Sequence, residues 1–339
     1  MRLDDHPTVR QVRENPPERP AGAVSAEWLR ELAFRAGADD VGFVPIDAPG
    51  LEVDLEHARK ALPRARTYVA FCVRMNRDNV RSPMRSVANT EFHQALDDAD
   101  SVGHRLARLL QDAGHRVVHP ASAFPQEMDG FPGRGWVISH KLVAQAAGLG
   151  RIGIHRNVIH PRFGNFILLG TVVVDFAVDF AVDEPAGPID FNPCLECKLC
   201  VAACPVGAIG KEGSFDFLAC YTHNYREFMS GFTDWVENIA DSADREDYRR
   251  RVSAAESASM WQSLAFKPNY KAAYCMAACP AGSDVIGPFL ADRRGFVADV
   301  VKPLQDKEEP VYVVPGSKAE SHVRKRFPHK DVRSVSNGL

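Results

Sequence analysis

The sequence predicts an α+β fold in two parts: a mixed layer domain as far as about residue 185, then a smaller cysteine-rich domain. Three observations predict it. Helical and strand-type apolar patterns alternate through the first part, as they do in layered domains. The stretch Cys194-Leu195-Glu196-Cys197-Lys198-Leu199-Cys200, followed by Val201-Ala202-Ala203-Cys204-Pro205, spells C-x2-C-x2-C-x3-C-P, the run of bacterial ferredoxins. Downstream, Cys275-Met276-Ala277-Ala278-Cys279-Pro280 repeats the C-x3-C-P half.

Residues 1–24 are charged and proline-rich and read as an extended arm, without the apolar stretch of a secretion signal or membrane span. Ser25 is placed as an N-cap, with Trp28, Leu29, Leu32, Ala33 and Ala36 as the apolar stripe of a helix that Gly37 ends. Val41–Pro45 and Tyr68–Val73 read as strands, the second a continuous apolar run that holds Cys72 as a buried structural thiol. Thr90–Leu110 is a helix stopped by Gly114, and His115–His119 a strand. A Gly- and Pro-rich loop then leads to a helix over Trp136–Ala147, and Asn165–Phe176 is β. Pro185 and Pro188 mark a linker.

A hydrophobic share of 45% and a formal net charge of −3 describe an ordinary globular chain and argue against a body-wide nucleic-acid surface. Seven clustered thiols suit a reducing compartment, so the expected location is cytoplasmic, with no membrane partner.

Two-residue gaps let three thiolates on one loop reach three corners of an iron–sulfur cubane, while the longer gap carries the fourth to a neighbouring cluster. Two 4Fe-4S clusters are therefore expected. The first takes Cys194, Cys197, Cys200 and Cys279; the second takes Cys204 and Cys275, with Cys220 as third ligand. Structural zinc favours separated C-x2-C pairs, and four cysteines in eleven residues are too crowded for disulfides.

Gly148-Leu149-Gly150-Arg151-Ile152-Gly153 spells G-x-G-x-x-G but ends a helix instead of leaving a strand, which speaks against a dinucleotide site. The donor-rich segment from Ile154 to Phe166 suits a large polar cofactor; its plain alternative is a surface turn. Ala147-Gly148-Leu149-Gly150-x-Ile152-Gly153, then His160-Pro161-x-Phe163-Gly164, then the cysteine run, together resemble the epoxyqueuosine reductase and reductive dehalogenase superfamily. The resemblance covers roughly residues 25–290. It implies a nitroreductase-like, cobalamin-binding domain followed by a two-cluster bacterial ferredoxin-like domain. The implied boundaries are 25–185 for the corrinoid domain and 186–292 for the cluster domain, with an insertion at 221–270. Residues 293–339 would return to the core and end in a basic tail. Base-off cobalamin would be the second cofactor, bordered by Gly148, Gly150, Gly153, Asn157, His160 and Gly164, and a reduced ferredoxin or flavodoxin-type protein would donate electrons.

Two departures from that pattern matter. Ala272 stands where the superfamily's second cluster has a cysteine, so that cluster is expected to be 3Fe-4S or to take a non-cysteine ligand. His223 is the nearest histidine to a cluster cysteine and otherwise a packed side chain. At the position of the epoxyqueuosine reductases' catalytic aspartate this chain has Arg134, with Glu127 and Asp129 nearby and His140 in the following helix. Tyr221 opens an aromatic-rich insertion that either caps the site or packs as a helical hairpin. The catalytic acid is thus unassigned among Arg134, His140, Tyr221 and these carboxylates. Arg134 tilts the expectation towards a dehalogenase-like corrinoid reductase of a small organic substrate. The alternatives are an epoxyqueuosine reductase acting in tRNA modification, to which the basic tail (Lys318, Arg324, Lys325, Arg326, Lys330, Arg333) would suit RNA, and a non-catalytic electron-transfer protein.

Overall fold

The computed structural model describes residues 2–16, 22–127, 137–180, 187–271 and 273–335. Asp129, Arg134, Trp136, Pro185 and Ala272, all singled out from the sequence, lie outside the described residues. In chain order the strands are β1 (Val24–Ser25), β2 (Asp40–Pro45), β3 (Thr67–Arg74), β4 (Val117–Val118), β5 (Arg151–Ile152), β6 (Val158–Ile159), β7 (Ile167–Val174), β8 (Val178–Asp179), β9 (Val311–Val313) and β10 (Val332–Ser334).

The chain divides into two compact units, each discontinuous in sequence. The first comprises residues 1–73, 96–149 and 168–189; the second comprises 74–95, 150–167 and 190–339. The expected boundary near residue 185 is therefore incomplete, because the glycine-hinged segment 150–167 belongs with the cysteines. No helix among the described residues is long and apolar enough to cross a membrane.

The first unit is built on a four-stranded sheet in the order β2-β3-β7-β4. β2 and β3 pair antiparallel, Val41 opposite Phe71 and Phe43 opposite Val69. The unbroken apolar run of β3 is buried from Thr67 to Val73, with Cys72 fully covered. The helix Ala26–Ala36 forms as its pattern dictates: Ser25 Oγ accepts from the Trp28 N–H at 3.4 Å, and Gly37 ends it at φ +104°. Its face Leu29, Leu32, Ala33 and Ala36 is buried, each leucine contributing about 1.5–3 kcal/mol. The arm before it is not merely extended, since Pro7–Glu14 is an exposed helix capped by His6, and β1 pairs in parallel with β8.

The helix expected at Thr90–Leu110 runs from Arg85 to Asp112, because no breaker interrupts residues 85–89. Only Val117 and Val118 of the strand expected at His115–His119 pair with β7. The flanking histidines turn to other contacts, His115 packing 4.4 Å from the Phe176 ring and His119 lying 3.9 Å from Asp100. The helix expected at Trp136–Ala147 is described as His140–Ala146. β9 does not rejoin the sheet; it pairs in parallel with β10 in a two-stranded sheet of its own.

Gly42 sits in β2 where a methyl group would strike the carbonyl oxygen of Ala147. Gly42→Ala should therefore cost about 1–3 kcal/mol. Gly287→Ala, which meets nothing within 4 Å, should stay within about 0.5 kcal/mol of wild type. Urea unfolding read at the midpoint with an unchanged slope checks both.

Candidate functional site

The cysteine run folds as a tight turn. Lys198 takes a left-handed conformation (φ 56°, ψ 18°) and its carbonyl accepts from the N–H groups of Val201 and Ala202, opening the short helix Leu199–Ala203. Cys194, Cys197, Cys220 and Cys275 are half-buried, while Cys200, Cys204 and Cys279 are buried. Burial pushes the Cys200 thiol up to about 12, and the neighbouring thiols of Cys275, Cys197 and Cys194 add to it. Burial likewise raises Cys279, with Cys197, Cys200 and Cys194 around it. Cys194, Cys197, Cys200 and Cys279, expected together in the first cluster, lie within electrostatic reach of one another, and Cys275, expected in the second, is also beside Cys200. Cys204 packs with Cys200 in one buried cluster, against which Cys220 and Cys275 are laid.

Backbone N–H groups point at these sulfurs. Ala208 N–H reaches Cys204 Sγ at 3.3 Å, and the amides of Val201 and Ala281 lower the Cys200 and Cys279 thiols against the effect of burial. A thiol this buried ionises only beside a metal or a cation, and amide donors aimed at sulfur tune iron–sulfur clusters. The donor set therefore fits the clusters that the spacing predicts. Among the described residues no three His, Cys, Asp or Glu side chains converge as a single-ion site requires.

The glycine-hinged segment packs onto the second half of the cysteine motif. A methyl at Gly164 (φ +65°) would meet the Ala281 carbonyl oxygen, and one at Gly282 (φ +108°) would meet the Gly164 backbone. Ser283 and Asp284 donate backbone N–H bonds to the carbonyls of Pro161 and Arg162, and Asn165 Nδ2 donates to the Met276 carbonyl at 3.2 Å. Ile159, on β6, is buried against Cys279 and Ala281. Asn157, expected beside a corrinoid, places its Nδ2 3.9 Å from Cys275 Sγ. His160 Nδ1 accepts from the N–H groups of Arg162 and Phe163 at 3.0 and 3.2 Å, so this histidine builds the turn.

Gly150 and Gly153 answer to the β5–β6 hairpin, where a methyl would strike the Ile159 carbonyl oxygen and the Ile159 side chain. Gly148 (φ +80°), in the first unit, would place one 2.6 Å from the Gly187 carbonyl oxygen. At none of the four is there open space for a side chain, so each glycine is required by the chain's own packing.

In the first unit, His140 is buried with Nδ1 2.9 Å from Thr171 Oγ1 and Nε2 3.0 Å from the Ala121 carbonyl oxygen. Burial holds it below the usual histidine range. A neutral ring with both nitrogens committed is a poor proton donor. Tyr221 is half-buried between Phe217 and Tyr225, with ring centroids 5.4 and 4.7 Å away. The insertion divides its aromatics. Tyr225, Phe228 and Tyr270 pack together with Phe92, whereas Trp261 and Phe266 stand largely exposed.

His223 is buried between the rings of Tyr274 and Tyr312, and its Nδ1 accepts the Tyr312 N–H at 3.4 Å. Its surroundings are Glu309, Lys271, Lys307 and Lys330, and burial pulls it down to about 3. Ala272, where the resemblance implies a cysteine, is outside the described residues.

A 4Fe-4S binding domain family matches residues 188–210. An epoxyqueuosine reductase of Vibrio cholerae is 35% identical over 223 residues, 58% of this chain and 58% of that one. One from a Synechococcus species is 35% identical over 150 residues, 44% of this chain and 40% of the relative. The chain thus spans little more than half the length of the curated relatives it matches. Among solved structures, an epoxyqueuosine reductase from Streptococcus thermophilus gives a TM-score of 0.43 at 16% identity, over 81% of this chain and 75% of that one. A reductive dehalogenase gives 0.47 at 15%, over 74% and 37%.

Two outcomes follow from the site. Cys200→Ala should lose most of its iron and sulfide after anaerobic reconstitution, while Cys72→Ala, buried in β3 of the other unit, should keep the wild-type load. A full load in Cys200→Ala would remove the ligand assignment. The second concerns acid. An unfolded histidine titrates near about 6.5, and His223 in the folded chain near about 3. As pH falls between those values, only the unfolded state takes up the proton. Stability is therefore present above the unfolded value and is lost on acidification, by at most about 1.4 kcal/mol per pH unit. Urea unfolding at pH 7, 6 and 5 should show a shallower acid loss in His223→Gln than in wild type.

Proposed function

We propose that the chain is an iron–sulfur reductase that breaks a carbon–oxygen bond, in the manner of the epoxyqueuosine reductases to which it is similar, with a modified tRNA as substrate. The observation that supports this most is the presence, in one chain, of the 4Fe-4S match at residues 188–210 and 35% identity over 223 residues to a protein of that name. The same relatives favour an enzyme over a bare electron carrier.

Reducing an epoxide to an alkene takes two electrons and two protons and releases water, so one-electron carriers must act twice. In this reading a reduced ferredoxin or flavodoxin-type protein supplies the electrons. Cys194, Cys197, Cys200 and Cys279 hold one cluster, and Cys204, Cys220 and Cys275 the other. The corrinoid implied by the sequence resemblance would, when bound, supply the reduced metal centre. No residue of the glycine loop is assigned to it, because those glycines answer to the chain's own packing. The protein's part is to hold the clusters in a dry cradle, position the substrate and deliver the protons. His140 is assigned to structure, since both its nitrogens are engaged. Glu127, which is exposed, and Tyr221 stay as proton-donor candidates. The helix Lys318–Arg326 leaves Arg324, Lys325 and Arg326 exposed, a charge pattern that suits an RNA backbone.

A second reading, a dehalogenase-like reductase of a small anion, is favoured by Arg134, which a gapless count back from the glycine motif sets at the place of the epoxyqueuosine reductases' catalytic aspartate.

Anaerobically reconstituted protein, given cobalamin, a low-potential reductant and a tRNA stem–loop bearing epoxyqueuosine, should convert it to queuosine. Mass spectrometry would read this as the loss of one oxygen. Release of halide from a halogenated phenol with no change in the stem–loop would replace the first reading with the second.

A further inference from the structure

The short helix Arg77–Arg81, part of the second unit, docks on the second half of the cysteine motif through both of its end arginines. Asn76 opens the helix, its Oδ1 accepting from the N–H groups of Asp78 and Asn79 at 3.0 and 3.2 Å. Arg77 Nη1 donates to the carbonyl oxygen of Asp284, just past the motif. Arg81 Nε donates to the carbonyl oxygen of Ala277 at 3.3 Å, two residues before Cys279. The Arg81 guanidinium also lies over two buried rings, 5.1 Å from the centre of Phe166 and 5.2 Å from that of Phe296.

A clamp of this kind needs one N–H group, and Arg81 brings more. Its Nη2 is buried and has no hydrogen-bond partner. Among the described residues no carboxylate forms an ion pair with Arg81. The charges that act on it are Arg77 and Asp78, exposed and of opposite sign in its own helix, and Cys279 once ionised. Asp284, at the other end of the contact, pairs with Arg162 at 2.9 Å. Stacking on aromatic faces recovers part of the cost of a buried cation. An orphaned donor on a cation away from water remains expensive, and an apolar side chain would pack on the same rings without it. Asn165, whose Nδ2 binds the neighbouring carbonyl of Met276, holds a second buried orphan in its Oδ1. A water bridging the two orphans is the competing arrangement.

We infer that Arg81 is the counter-cation of the first cluster, the one expected on Cys194, Cys197, Cys200 and Cys279. Its Nη2 donates to sulfur at the Cys279 edge of that cluster, and its charge stabilises the electron the cluster takes up. This rests on the two-cluster reading. A 4Fe-4S centre on four thiolates is a net anion that becomes more negative on reduction, and both net charge and hydrogen bonds to sulfur set its potential. A guanidinium in a poorly screened interior acts on it strongly, and its charge-assisted N–H bond is of the stronger kind. Phe166 and Phe296 hold the plane of the fork, and the Ala277 carbonyl fixes its Nε edge.

The test uses the anaerobically reconstituted full chain with iron content measured alongside, the first cluster being the signal that Cys279→Ser alters. With heavy nitrogen in the guanidinium groups of all arginines, pulsed electron paramagnetic resonance of the reduced wild type should show nitrogen coupled to that cluster. Arg81→Lys, which keeps the charge and loses the fork, should abolish the coupling and leave the potential near wild type. Arg81→Met, which loses both, should lower the reduced fraction of the first cluster about tenfold at fixed ambient potential. That is equivalent to about 59 mV for a one-electron couple, and the second cluster should move much less. Absence of coupling in iron-loaded wild type, as the water bridge to Asn165 predicts, would overturn the inference while leaving the clusters in place. So would coupling that persists in Arg81→Lys, or an unshifted first cluster in iron-loaded Arg81→Met. If Arg81→Met takes up no iron, the labelled wild type and Arg81→Lys decide by the same criteria. Wild-type protein that takes up no iron would overturn the two-cluster reading itself, and the inference with it.

Discussion

Burial of the thiols is the constraint on which the second unit depends. Cys200, Cys204 and Cys279 sit where a free thiol stays protonated and neutral, so they act as thiolate ligands only where a metal centre takes the charge. Polar groups around them reduce the cost of that charge: the Ala208 amide aimed at the Cys204 sulfur and the Asn157 side chain at Cys275. Each is a modest interaction on its own. Their convergence on these cysteines distinguishes this arrangement from a cysteine-rich surface loop.

The same constraint explains the glycine-hinged segment. Its repeated glycines invite a cofactor reading because they permit close backbone approach. The approach they serve is to the chain itself, Gly164 to Ala281 and Gly150 to Ile159. The segment 150–167 is thereby a wall of the cluster-bearing unit, and Asn157 and Ile159 reach the cysteines from it.

How much of this was legible in the sequence follows from how local the signals are. Ser25 and Gly37, the run in β3 and the C-x2-C-x2-C-x3-C-P spacing are decided by neighbours a few residues apart, and the structure places them as the pattern dictates. The assignment of 150–167 to the second unit was not legible, because it depends on contacts across more than a hundred residues, such as Asn165 with Met276. The pairing of β9 with β10 instead of the main sheet escaped for the same reason: a short apolar run does not name its partner. The buried lysines were harder still. Lys330 and Arg333 read as members of a solvated basic tail, yet Lys330 is buried and Arg333 pairs with Glu256, since Phe327 and Val323 anchor the tail into the core. Lys271 beside a cysteine half-motif was the one available hint.

The discontinuity of the cysteine-bearing unit has a consequence for its inheritance and for design. A cassette beginning at Asp190 would carry all seven clustered cysteines and look like a portable redox wire. It would lack the hairpin that covers Cys279 and the turn that seats Gly282, as well as Arg85, which shares Glu227 with Lys271. Shuffling of a contiguous segment therefore cannot move this module into a new host. It travels only with the chain that threads through it, from Arg74 onward.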